Sequence, residues 1–91
     1  MIRAARRYNI HQLHLLLAEH TRFIRLADQT NDAIIQLDDL LDLLAETALD
    51  RNPISFQLTA YRQHLLVFQA TCNTAAQMVV ARIERLFNHL R

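Results

Sequence analysis

Apolar residues recur along the first half of the chain at alternating intervals of three and four residues. This spacing keeps them on one face of an α-helix, and its average of about 3.5 residues is typical of helices that pack side by side. Only His20 and Thr30 are polar, and the phase of the pattern is unbroken. This first stripe consists of Leu13, Leu16, His20, Phe23, Ala27, Thr30, Ile34, Leu37, Leu41, Leu44 and Ala48.

The segment Asp50-Arg51-Asn52-Pro53 separates this pattern from a second one. A residue that precedes proline is disfavoured in the α conformation, whereas proline itself suits the first position of a new helix. We therefore expect a turn over 50–53, with Asn52 as the N-cap of the second helix. The second stripe, apolar throughout, consists of Leu58, Tyr61, Leu65, Phe68, Cys72, Ala76, Val79, Ile83, Leu86 and Leu90.

The two stripes predict one all-α domain over residues 1–91, formed by helical arms of about 8–50 and 54–90. Nearly equal arms favour a long antiparallel helical hairpin. The polar segment 28–32 leaves an alternative open, because Thr30 or Asn31 could cap a new helix and give three helices instead of two. We favour the hairpin, with a kink or break near residue 30 allowed.

Composition indicates that this hairpin needs a partner. Hydrophobic residues make up 52% of the sequence, Gly is absent, and Pro occurs once, a composition that favours helices over tight β-turns. A chain of this length buries too little surface to cover so many apolar residues. We expect a homo-oligomer, with a dimeric four-helix bundle of coiled-coil type favoured, or else docking onto another helical protein. No run approaches the roughly 18 apolar residues of a membrane span, so we expect a soluble protein.

Charge is separated along the predicted hairpin although the net charge is only +1. The end that carries both termini gathers Arg3, Arg6, Arg7, Arg82, Arg85 and Arg91, and the turn end gathers Asp38, Asp39, Asp42, Glu46 and Asp50. An antiparallel dimer or a head-to-tail filament would place opposite charges side by side. The small net charge gives no strong indication of nucleic-acid binding.

Candidate chemistry is sparse. The sequence has no Lys, which excludes a Schiff-base enzyme and a P-loop. His11, His14 and His89 could approach one another at the end with the termini, but we interpret them as surface histidines rather than a zinc site. Cys72 is expected to be a small buried thiol. We predict no catalytic residues, no metal and no cofactor.

One enzymatic alternative depends on Arg82 and His89, which are seven residues apart. Small helical ribonucleases use such pairs, in which Arg holds a phosphate and His transfers a proton. Arg7 and His11 form a weaker version of the same pattern.

The C-terminal 40 residues resemble the corresponding part of type III secretion needle and inner-rod subunits. The resemblance lies in the Asn52-Pro53 turn, the long helix after it, Asn73-Thr74, and the ending Ile83-Glu84-Arg85-Leu86-Phe87. It implies an exported filament subunit whose C-terminal helix lines the assembly. The N-terminal half departs from that family, whose members begin with a polar, weakly structured segment.

These observations lead us to expect a non-enzymatic helical interaction module. It would self-associate, or serve as a small chaperone or adaptor for a helical partner, through the large apolar residues of the two stripes. A cytoplasmic location is favoured, or a secreted one if the filament interpretation holds.

Overall fold

A computed structural model describes residues 2–47 and 53–90 and shows an antiparallel helical hairpin. Helix α1 spans Ile2–Glu46 and helix α2 spans Pro53–Leu90. The pair forms a rod of 70 × 16 × 14 Å. Its radius of gyration is 20.3 Å, whereas a compact domain of this length has about 12 Å. The predicted all-α hairpin is therefore confirmed.

The helix ends differ from the predicted arms. Helix α1 begins at Ile2, earlier than residue 8, and ends at Glu46, before residue 50. Residues 2–7 contain two alanines and three arginines, which are good helix formers, so the helix extends beyond the apolar stripe. Pro53 is the first residue of α2, and the predicted N-cap Asn52 lies outside the described residues.

Helix α1 continues without a break through the polar segment around Thr30. The hydroxyl of Thr30 donates a hydrogen bond of 2.7 Å to the carbonyl oxygen of Leu26, one turn earlier. The side chain is therefore satisfied within the helix instead of capping a new one. The three-helix alternative is wrong for this reason.

The core is a thin line between the two helices. Its most buried apolar residues are Ala27, Ile34, Cys72, Ala76 and Val79, which are 2–5% exposed. Most of them are small, which allows the two helix axes to approach closely near the middle of the rod. Larger side chains on either side of this centre are only half-buried, since two helices cannot enclose them.

This shape leaves a large surface exposed. The accessible surface is 7249 Å² for a chain of 10.6 kDa, whereas a compact monomer of that mass exposes about 5,500 Å². The difference, about 1,800 Å², lies within the range of about 1,200–2,000 Å² that both partners together bury in a standard protein–protein interface. Within residues 2–47 and 53–90, neither helix is long and apolar enough to cross a membrane.

We expect Val79→Ala to lower the free energy of unfolding by about 1–3 kcal/mol, because it removes buried methyl groups and leaves a cavity. Val67→Ala provides the control: the same change at a position that is 61% exposed on the same helix should alter it by less than about 0.5 kcal/mol. Urea unfolding followed by circular dichroism measures both. Equal effects of the two substitutions would contradict the packing described.

Candidate interaction site

The first predicted stripe lies along the contact between the helices, which we call the seam. Each of its members from Leu13 to Leu44 is buried or half-buried, and Ala48 lies outside the described residues. Positions 13, 20, 27, 34 and 41 alternate with 16, 23, 30, 37 and 44, so the seam follows a regular seven-residue repeat.

From Leu58 to Leu86 the second stripe departs from the seam at two positions, and the side chain of Leu90 lies outside the described ones. Tyr61 and Phe68 are 54% and 45% exposed, whereas Arg62 and Gln69 contact α1. The seam of α2 keeps the seven-residue repeat through Ser55, Arg62, Gln69, Ala76 and Ile83, and a line of apolar residues runs beside it. The sequence prediction followed the more apolar line, and the repeat itself was the signal that could have identified Arg62 and Gln69.

Two polar contacts cross the seam. Arg62 Nε donates to Asp38 Oδ1 at 2.5 Å, and Gln69 Nε2 donates to Asn31 Oδ1 at 3.3 Å. The hydrogen bond to Asp38, together with its negative charge, raises the pKa of Arg62, so the guanidinium stays charged. In both contacts the two residue numbers add to 100. A residue n of α2 therefore lies at the same height along the rod as residue 100 − n of α1, and we call this height its level.

The seam divides the surface into two flanks, because positions on either side of a helical contact face opposite directions. We call one the Glu19 flank, since Glu19 and Arg82 line a common hollow there. It carries Gln12, Glu19, Leu26, Ala33 and Leu40 of α1 and Tyr61, Phe68, Ala75, Arg82 and His89 of α2.

The opposite side is the Asn31 flank, where Asn31 and Asp38 reach across to α2. Residues at seven-residue intervals line it along both helices. They are Ile10, Leu17, Ile24, Asn31 and Asp38 of α1 and Thr59, Leu66, Asn73 and Val80 of α2.

Exposed apolar side chains form one patch on each flank, and the patches lie at opposite ends of the rod. The turn patch, on the Glu19 flank, consists of Leu40, Leu43, Tyr61 and Phe68, which are 40–55% exposed. The terminal patch, on the Asn31 flank, consists of Ile10, Leu17, Ile24 and Val80, which are 38–48% exposed. Apolar clusters of this kind on a protein surface mark sites of association.

The remaining half of each flank combines charged and apolar side chains. The terminal half of the Glu19 flank and its outer edge carry Glu19, Arg22, Arg82 and Arg85 together with the exposed apolar residues Tyr8, Leu15 and Met78. The turn half of the Asn31 flank and its edge carry Asp28, Asp38 and Asp42 together with the exposed Ile35 and Phe56. The charges of the two flanks are therefore of opposite sign and lie in opposite halves of the rod.

An open hollow of about 490 Å³ lies near the terminal end of the Glu19 flank. Arg82, Arg85, His89 and Tyr8 supply its polar rim, and Leu16 and Leu86 are among its apolar lining residues. The structure thus brings Arg82 and His89 to one hollow, whereas Arg7 and His11 do not line it. Two guanidinium groups and an imidazole are suited to bind an anion.

Other candidate chemistry is less developed. In the described parts of the chain, no three His, Cys, Asp or Glu side chains form a group that could hold a metal ion. Cys72 is a buried, free thiol in the seam.

Comparison with protein families, curated proteins and solved structures found no match for this chain. Functional arguments therefore depend on the geometry of the chain itself.

Proposed function

We propose that the protein is a non-enzymatic helical assembly module that covers its exposed apolar patches with other helices. The observation that supports this most directly is the ratio of exposed to buried apolar side chains. Among the residues whose burial the structure describes, sixteen large hydrophobic residues are exposed, whereas five hydrophobic residues form the buried core. A hairpin of this shape keeps in water apolar side chains that association with other helices would bury.

A second copy of the chain is the partner that we favour, with a dimeric bundle as the smallest assembly. The separated charges support this choice, because each end carries the complement of the other. An adaptor or chaperone for another helical protein would use the same surfaces. The resemblance to type III secretion subunits adds the alternative of an exported filament subunit, which would also associate through its helices.

The hollow at the terminal end supports a second candidate of a different class. Arg82 and His89 line it together with Arg85 and Tyr8. In a ribonuclease, the arginines would hold the scissile phosphate and His89 would transfer a proton. We rank this below assembly, because the hollow is open to solvent and has no second proton-transfer group besides Tyr8.

The mass of the protein in solution tests the assembly proposal. We expect light scattering behind size exclusion to give a mass above the 10.6 kDa of one chain, increasing over a roughly hundredfold concentration range by mass action. A discrete dimer would support the bundle, and continuous growth would support a filament. A mass of one chain at every concentration would contradict self-association.

The ribonuclease candidate predicts that Arg82→Ala and His89→Ala each reduce RNA cleavage at least about a hundredfold while the helical circular dichroism spectrum is unchanged. Arg25→Ala and His64→Ala serve as controls, because neither residue lines the hollow or belongs to either Arg–His pair. Cleavage that survives either of the first two substitutions would exclude this mechanism, as would equal loss in the controls.

A further inference from the structure

The turn patch and the terminal patch of one chain are too far apart to contact each other. Leu40 and Leu17 are 23 residues apart on one continuous helix, which corresponds to about 35 Å, and they lie on opposite flanks. A contact that covers both patches therefore joins two copies. This inference rests on the proposed function, and it specifies the partner and the mode of assembly.

The charges of the two halves select which patches meet. Residues 1–26 and 75–91 carry eight arginines and two acids, a formal charge of +6, whereas residues 27–74 carry seven acids and two arginines, −5. Two turn patches in contact would bring two acidic halves together, and two terminal patches would bring two basic halves together. Only turn patch against terminal patch joins opposite charges.

We propose that the Glu19 flank of one copy packs on the Asn31 flank of a second copy that is reversed end for end. In this arrangement the turn patch covers the partner's terminal patch, with Leu40 at the level of the partner's Leu17. The charged halves of the same two flanks then face each other along the remaining length of the rod. The apolar patches are then covered, and in the other half of the interface the arginines of one copy lie at the level of the partner's acids.

A single register serves both halves of this interface. Leu40 and Glu19 are 21 residues apart on one flank, and Leu17 and Asp38 are 21 residues apart on the other. Placing Leu40 against Leu17 therefore brings Asp38 to the level of Glu19 and its neighbour Arg82. By the same register, Asp42 comes to the level of Arg85.

Symmetric alternatives satisfy fewer groups. A twofold dimer through two Glu19 flanks in full antiparallel overlap would place Phe68 at the level of Arg82 and Arg85. A twofold dimer through two Asn31 flanks would place Ile10 at the level of Asp38 and Leu17 at the level of Asn31. Both arrangements would desolvate charged groups against apolar ones.

The exposed area also fits two contacts per copy. The surface in excess of a compact monomer, about 1,800 Å², equals roughly two patches of the 800 Å² that each partner contributes to a standard interface. Because the two flanks of one copy engage different neighbours, the contact does not close on itself. The result is an open stack of hairpins that alternate in direction.

Complementation between two variants tests the asymmetry of the contact. The turn-patch variant Tyr61→Gln/Phe68→Gln and the terminal-patch variant Leu17→Gln/Ile24→Gln should each weaken self-association at least about tenfold. An equimolar mixture should then form a discrete two-chain species, twice the 10.6 kDa chain mass, because one intact contact remains between them. Gln is helix-favouring, so the hairpin is retained.

Matched controls use the adjacent exposed positions. Val67→Gln and Ala18→Gln lie outside both patches and should leave the mass distribution of the wild-type protein unchanged. Circular dichroism verifies that every variant stays helical. If one of the double variants unfolds, the single variant Leu40→Gln or Val80→Gln replaces it.

Two results would overturn this interface while leaving self-association intact: double variants that assemble as the wild-type protein does, or double variants that do not complement each other when mixed. A wild-type monomer at all concentrations would overturn both proposals.

Charge reversal tests the direction of the stack. Asp42→Arg should weaken assembly, and Asp42→Arg/Arg85→Asp should restore it, since the exchanged charges meet between copies. Within one chain these residues lie about 40 Å apart along the rod, so the rescue cannot arise inside a hairpin. Salt should weaken the wild-type assembly, because the screening length falls from about 10 Å at 0.1 M to about 3 Å at 1 M. A double variant that is no better than Asp42→Arg would contradict the reversed orientation.

Discussion

The structure depends on one constraint: two long helices must keep a narrow line of side chains in contact over almost their whole length. A strict seven-residue repeat achieves this, because a break in the repeat would rotate the apolar positions that follow it away from the partner helix. Small residues such as Ala27, Cys72 and Ala76 occupy its centre and are nearly fully buried. The result is a stable contact with a very small core, which leaves most apolar surface available for other interactions.

Polar residues within the seam determine how the helices are aligned. A line made only of Leu, Val and Ala tolerates a shift of one repeat, since apolar contacts are not directional. The contacts of Arg62 with Asp38 and of Gln69 with Asn31 break this degeneracy, because both are satisfied in a single register. Their side chains are partly exposed, so they contribute more to alignment than to stability.

The hairpin, the start of α2 at Pro53 and the whole described seam of α1 were predictable from the spacing of apolar residues, the single Pro and the absence of Gly. The seam of α2 was predicted at Leu58, Leu65, Cys72, Val79 and their neighbours, but not at Arg62 and Gln69. Hydrophobicity favours Tyr61 and Phe68 at these levels, and a sequence alone does not show that a polar pair across the seam is satisfied. The sequence indicated Arg82 and His89 as a pair but not the hollow that they line, because Tyr8 and Leu16 reach it from α1 through the antiparallel packing.

The two positions at which hydrophobicity was misleading are also those that relate the fold to assembly. Tyr61 and Phe68 each come one position before Arg62 and Gln69, so a rotation of α2 that turned the rings toward α1 would move Arg62 and Gln69 away from Asp38 and Asn31. The chain instead keeps the polar contacts across the seam and presents the two aromatic side chains on the Glu19 flank. In a single hairpin Tyr61 and Phe68 stay 54% and 45% exposed, so about half of their surface remains in water. Under the proposed assembly, another helix would cover these two side chains. The positions 61–62 and 68–69 would then serve two purposes, since Arg62 and Gln69 align the hairpin while Tyr61 and Phe68 form part of the turn patch.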